Sequence, residues 1–275
     1  MNPPCLDKFV GREATICGIV TPEMASNYRQ LLDIRPPTEA SSDYAHASLG
    51  LLWCIQRSGK GNVGVSSPLI PEFSGYQRLW ASSDVQCFQS VQEYSQISQT
   101  SRIVSADVAA GGAVESFSLV LSITYAAGKQ PLAYEMRRLV YQNPWTKRPN
   151  DRKNSRLESP ENSRKKTIEI NESILQRYST LTSNQNPVHT NLEYCKRHGF
   201  PGLIIHAPLQ ASLLLHFLEE QYPGLFVRHF HFRPTRPLYH PSPFDLLCRE
   251  DNGVFHMSIR SSDGVTTMTA NCHVE

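Results

Sequence analysis

Residues 178–220 read YSTLTSNQNPVHTNLEYCKRHGFPGLIIHAPLQASLLLHFLEE, and the rest of the chain is organised around them. Asn184, Asn186 and His189 fall within six residues, with Pro187 directly after an asparagine. Asn-Pro favours a turn, and the residue before a proline is pushed out of the helical region. Asn186 is therefore expected to be extended, with Asn184 and His189 flanking a bend. Such a bend aims an amide and an imidazole at one small volume. Farther on, Leu203-Ile204-Ile205 leads through His206-Ala207-Pro208 into a long apolar helix. Pro208 suits the first helical position, where its missing N–H costs nothing. The free N–H groups of that turn and the positive end of the helix dipole favour negative charge.

A general base beside an anion-stabilising helix start is what enolate chemistry on a thioester needs. Asn184, Asn186, Pro187 and His189, then Gly199-Phe200, Gly202 to His206 and Pro208, resemble the signature of MaoC-like hydratases and dehydratases. The run Tyr178 to Asn184 and the run Gly202 to Gln210 are closer to the fused double-hotdog branch of that family. That branch includes mesaconyl-CoA and itaconyl-CoA hydratases and 3-hydroxyacyl-thioester dehydratases. The similarity continues through Phe232 to Leu238 and reaches back to Arg78-Leu79-Trp80-Ala81 and Glu135 to Gln142.

The resemblance implies an α+β double hotdog, two fused domains that each wrap an antiparallel sheet around a central helix, with the two sheets paired as a pseudo-dimer. It divides the chain into an N-terminal hotdog over 1–142 that forms the acyl pocket, a basic disordered linker over 143–166, and a C-terminal hotdog over 167–275 with the catalytic motif. It implies reversible hydration and dehydration between 3-hydroxyacyl and 2-enoyl thioesters, carried by coenzyme A or an acyl carrier protein. His189 would be the acid/base and Asn184 would fix the water or the substrate hydroxyl. The Ala207 N–H, at the start of the Pro208 helix, would bind the thioester oxygen, with His206 and Tyr178 completing the substrate-binding set. No cofactor and no metal are implied, and a homodimer is compatible with this reading. The rival activities are a C4-dicarboxylyl-CoA (mesaconyl or itaconyl) hydratase, a dehydratase or isomerase tailoring a natural-product intermediate, and a non-catalytic thioester-binding subunit.

Three sites depart from one branch or the other: Asn184, which the fused branch shares, Asn186-Pro187, where the fused branch often carries His-Arg, and Ala207. Asn184 stands where single-hotdog enzymes carry an aspartate; an amide orients but does not accept a proton at neutral pH. Ala207 replaces the glycine of His-Gly-Pro. A backbone donor survives that change, although its methyl group crowds the thioester if the torsion requires glycine. For Asn184 a turn-capping role weighs as much as a chemical one. Asn186 is expected to brace the loop. His206 is as readily a packed structural histidine as a chemical group. Arg233, Arg236 and Arg249 could meet carrier phosphates, but each reads more readily as a solvated arginine. His229 and His231 lack the further ligands zinc needs.

The chain has 275 residues, 40% hydrophobic and 19% charged, enough for two ordinary domains. A net charge of +2 argues against a nucleic-acid partner. Seven scattered cysteines without a CxxC pair read as reduced, packed thiols. No apolar run is long enough to span a membrane. With no apolar leader, no Arg/Ser-rich prefix and no Ser-Lys-Leu tail, the cytoplasm is the default expectation, with the mitochondrion as the alternative from relatives.

Taken in order, 13–20 reads as a strand and Thr21-Pro22 opens a helix buried through Met24, Tyr28, Leu31 and Leu32. Residues 34–46 read as loop, 47–56 as helix near the acyl pocket and 57–75 as irregular. Strands are expected over 78–91, 102–109, 114–125 and 132–141. Residues 143–166 hold eight Lys/Arg and three Asp/Glu with almost no large apolar residue after Trp145, so they are expected not to order themselves. A basic patch meeting carrier phosphates is the other reading of this stretch. Then follow a helix capped by Asn171, a short helix over 192–197, the long helix from Pro208, and strands over 227–232, 244–250, 254–260 and 265–274.

Overall fold

A computed structural model of the chain describes residues 6–32, 47–55, 69–108, 116–142 and 163–275. The N-terminal half opens with strand β1 (Glu13–Ile19) and helix α1 (Pro22–Leu31), then short helix α2 (Ala47–Leu52). Four long strands follow: β2 (Gln77–Cys87), β3 (Gln96–Val108), β4 (Ser116–Ala127) and β5 (Gln130–Gln142). The C-terminal half repeats the plan. It has β6 (Arg164–Ile168), α3 (Glu172–Leu181), a 3-10 turn (Pro187–His189), α4 (Leu192–Arg197), β7 (Leu203–Ile204) and α5 (Ala207–Gln221). It closes with β8 (Val227–Pro234), β9 (Tyr239–His240), β10 (Phe244–Asp251), β11 (Val254–Ser261) and β12 (Thr266–Val274).

The long strands form one ten-stranded sheet in the order β1-β3-β4-β5-β2-β8-β12-β11-β10-β6. Read inward from either edge, both halves have one connectivity: first strand, third, fourth, fifth, second. The halves join where β2 meets β8, with Val85 opposite Phe230 and Ser83 opposite Phe232, antiparallel. This is the double hotdog with paired sheets that the sequence led us to expect.

The opening helices carry the duplication in their local chemistry. Thr21 accepts from the Met24 N–H at 3.1 Å, and Asn171 accepts from the Ile174 N–H at 3.0 Å. Each cap satisfies one orphan donor of a first turn. Each helix then places a tyrosine at its seventh residue, Tyr28 and Tyr178, and both are fully buried. α5 is apolar almost all round, buried from Leu209 to Leu218, as a helix sheathed on every side must be. Its counterpart α2 is only six residues long. It packs on α5 at Gly50, where an added Cβ would collide with the Tyr28 hydroxyl.

Several boundaries differ from the sequence reading. β6 starts inside the stretch assigned to the linker. Its lysines find carboxylates, Lys165 to Asp245 at 2.8 Å and Lys166 to Glu220 at 2.6 Å, while its backbone pairs with β10. Composition alone hid a strand whose charges are neutralised by distant residues. The rest of that stretch, 143–162, lies outside the described residues, as do the loop expected at 34–46 and residues 56–68. β3 begins six residues before the expected 102, because a Gln/Ser/Thr-rich segment still pairs with both β1 and β4. α5 begins at Ala207, so Pro208 is its second residue; an N–H is equally dispensable there.

Candidate active site

The chain leaves α3 through Ser183, held at φ 49°, a left-handed conformation uncommon outside glycine. The Asn184 N–H then returns to the Ser179 carbonyl at 2.8 Å. The Asn184 side-chain oxygen accepts from the Asn186 N–H at 3.1 Å, and that of Asn186 accepts from the Val188 N–H at 3.3 Å. Two successive asparagine turns thus wind the segment into the 3-10 turn that ends on His189. Asn186 thus accepts a backbone N–H within the loop. The Asn184 carbonyl oxygen is spent on the backbone, leaving its NH2 group as the part open to a ligand.

His189 is fixed from one side. Its Nδ1 lies 2.7 Å from the Ile204 carbonyl, so Nδ1 carries the proton and donates, which leaves the lone pair on Nε2. Ile204 belongs to β7, pinned by pairing with β9. That pairing needs glycine at 202, where a Cβ would strike the His240 carbonyl oxygen. The His189 ring stacks on His206 with centroids 3.7 Å apart and planes 19° apart. His206 is the N-cap residue of α5, so the imidazole lies against that helix start. The Ala207 N–H makes no hydrogen bond among the described residues, as first-turn geometry dictates. Ala207, Pro208, Asn184 and His189 all keep partial exposure.

Behind this face the surroundings are closed. His206 is fully buried, with Nε2 2.9 Å from the Ser179 hydroxyl. Tyr178, also fully buried, meets the His206 ring edge-on at 5.0 Å. Its hydroxyl lies near Ser212 without reaching hydrogen-bond geometry. The structure therefore gathers His189, His206, Ala207 and Pro208 at one helix mouth, while Tyr178 sits in the layer behind.

Burial lowers the His189 pKa to about 4, against a lift from the Ile204 carbonyl. Burial, and then the neighbouring His189, holds His206 well below the ordinary histidine value. Burial raises Tyr178 well above the usual tyrosine range. At neutral pH the pair is two uncharged imidazoles, and the partly exposed one, His189, presents a lone pair. Such a group accepts a proton from carbon, and an unused N–H at a helix start stabilises the resulting oxyanion. Among the described residues, no group of three or more His, Cys, Asp or Glu side chains is arranged for a metal, and no helix is long and apolar enough to cross a membrane.

Sequence reasoning missed two supports. Ser179 lies in the quoted motif, but only the fold brings it to His206. The Ile204 carbonyl leaves no mark on side-chain chemistry. A third omission lies in the other half: Glu135 is fully buried and accepts from Arg137 Nε and a terminal nitrogen, both at 2.8 Å. It also accepts from the Tyr125 hydroxyl at 3.0 Å, the Ser83 hydroxyl at 2.5 Å and Trp53 Nε1 at 3.3 Å. A β-bulge at Trp80/Ser82 resets the alternation of β2. Trp80 thereby packs on the core and against Arg137, whose guanidinium carbon lies 3.7 Å from the ring centroid.

Residues 60–240 match the family model described as hydroxyacyl-thioester dehydratase type 2. The chain is 32% identical over 106 residues to a mesaconyl-C(4)-CoA hydratase of Chloroflexus aurantiacus, covering 38% of each chain. It is 29% identical over 104 residues to 3-hydroxyacyl-thioester dehydratase X of Mycobacterium tuberculosis, covering 38% of this chain and 36% of that one. These matches thus span well under half of either relative's length. Among solved structures, a MaoC-like dehydratase from Phytophthora capsici superposes with a TM-score of 0.75 at 13% identity, covering 98% of this chain and 97% of the other.

Proposed function

This chain belongs to the hydroxyacyl-thioester dehydratase type 2 family, and we propose that it interconverts 3-hydroxyacyl and 2-enoyl thioesters with His189 as the single acid/base. The observation that carries the proposal is the Nδ1 bond to the Ile204 carbonyl, which leaves Nε2 of a neutral imidazole unprotonated beside the α5 start. In dehydration, Nε2 removes the α-proton and the electrons move onto the thioester oxygen, which accepts from the Ala207 N–H. The enolate then collapses, the bond to the 3-hydroxyl breaks, and the same proton leaves with it as water. Hydration is the reverse. The Asn184 NH2 group holds the departing hydroxyl or the incoming water.

His206 is a positioning residue that packs against the His189 ring. The N-terminal half, 1–142, supplies the acyl pocket and the C-terminal half the acid/base. The carrier is coenzyme A or an acyl carrier protein. The test follows enoyl absorbance with crotonyl-CoA and a longer enoyl-CoA. Turnover abolished in His189→Ala but retained in part in His206→Ala supports the reading. Tight thioester binding with no turnover by the unaltered protein replaces it with a binding subunit.

A further inference from the structure

Three consecutive peptide groups connect the anchor of His189 to the Ala207 N–H. In the first, the Ile204 carbonyl accepts from His189 Nδ1 at 2.7 Å and the Ile205 N–H donates to the Leu238 carbonyl at 2.9 Å. In the third, the His206 carbonyl accepts from the Gln210 N–H at 3.0 Å. A trans peptide group is planar, so its N–H points opposite to its carbonyl. Holding the His206 carbonyl along α5 therefore aims the Ala207 N–H out of the helix start. The peptide between them joins Ile205 to His206. Its carbonyl accepts from Gln210 Nε2 at 2.9 Å. Gln210 thus holds two successive carbonyls, one with its side chain and one with its backbone.

The backbone bond is ordinary for a first helical turn, but the side-chain bond is not. Gln210 is 3% exposed, and Leu209, Ala211, Leu213 and Leu214 around it on α5 are buried and apolar. The Gln210 carbonyl oxygen is buried and has no partner among the described residues. An unsatisfied buried acceptor is destabilising, so an amide here is supported only by its donation to Ile205. The junction needs that donation. β7 pairs with β9 over two residues only, and the chain turns at His206 (φ −54°, ψ 133°) straight into the helix. Resting on the hydration reading above, we propose that Gln210 is a positioning residue. Its side-chain amide fixes the middle peptide and so sets how far apart the His189 imidazole and the Ala207 N–H stand. Base and oxyanion donor must meet one thioester together, and a displacement of about 1 Å in such a pair lowers rate about a hundredfold.

The test measures kcat and KM of the purified full chain for crotonyl-CoA in Gln210→Met and Gln210→Glu, beside thermal unfolding. Methionine keeps the length and helix preference of glutamine without its donor. Gln210→Met should lower kcat about 10- to 100-fold and leave KM within about threefold, because geometry felt in the transition state falls on kcat. Gln210→Glu adds a pH readout. Burial raises the pKa of the introduced carboxyl. Protonated, it donates to the Ile205 carbonyl; ionised, it repels it. Its kcat relative to the unaltered protein should rise as pH falls from about 8 to 5.5, with no such rise in Gln210→Met. Unchanged kinetics in Gln210→Met, or a loss that falls on KM alone, overturn this inference and leave the hydratase reading standing, whatever the melting temperature. Should Gln210→Met fail to fold, the Gln210→Glu series decides, and a ratio that does not change with pH overturns the inference. No turnover of crotonyl-CoA or a longer enoyl-CoA by the unaltered protein removes both.

Discussion

Acid should loosen this protein through one imidazole before its carboxylates titrate. His189 has a folded-state pKa of about 4 against an ordinary 6.5. Above pH 6.5 both folded and unfolded chains hold it neutral, and nothing is lost. As pH falls below 6.5 the unfolded chain takes up a proton that the folded chain refuses until about 4, so stability falls across that window. A displacement of 2.5 units corresponds to about 3 kcal/mol in total, of which about 1.5 kcal/mol is lost between pH 6.5 and 5. His206 is depressed in the same direction and adds to the loss. Glu219 works against it, because burial raises its pKa and the folded chain gains there by protonation. The Glu219 contribution cancels when each pH is compared between the unaltered protein and His189→Gln, while the share of the His206 depression that His189 causes adds to the difference. Urea titrations followed by tryptophan fluorescence should show the variant losing about 1.5 kcal/mol less stability over pH 6.5 to 5. Parallel curves would refute the claim that His189 is held neutral. The same cause sets an activity expectation: the acid limb of kcat/KM should bend well below the ordinary histidine value.

Four further outcomes follow from the geometry. Gly202→Ala should cut kcat/KM, since the new Cβ drives β7 from the His240 carbonyl and displaces the carbonyl that anchors His189; unchanged kinetics would separate that pairing from the site. Gly50→Ala should cost about 1–3 kcal/mol in denaturant titrations, because the buried Tyr28 cannot move aside, with part recovered by adding Tyr28→Phe. Glu135→Leu should cost about 3–5 kcal/mol by leaving the Arg137 charge buried without its partner; adding Arg137→Met should restore much of it, read as a non-additive double-mutant cycle. Asn184→Ala should remove about 1 kcal/mol of stability with the lost turn bond, and lower kcat less than His189→Ala does, measured side by side.

The candidate site was legible where its parts are neighbours in sequence. The Asn-Pro bend, the histidine after it and the proline-opened helix are local patterns with local causes, and the chain folds them with one change, Pro208 standing second in its helix and not first. The fold was legible from strand alternation and helix caps, although the β2–β8 seam was expected from resemblance and not from any single strand. What escaped depends on distant partners. The lysines of β6 look solvated until Asp245 and Glu220 arrive from elsewhere in the chain. The Glu135 network draws on Trp53, Ser83, Tyr125 and Arg137 from four separate elements or turns. In sequence, only the alternate spacing of Glu135 and Arg137 on one strand hints at it. The carbonyl that sets the His189 tautomer is a backbone atom, which any residue type could supply.

The central claim is tested most directly by a crystal structure of the protein with butyryl-CoA, a saturated thioester that cannot be dehydrated. The thioester oxygen should lie within hydrogen-bond distance of the Ala207 N–H, with Cα and Cβ facing His189 Nε2. A thioester bound with its carbonyl away from the α5 start, or with His189 turned from the acyl carbons, would contradict the account.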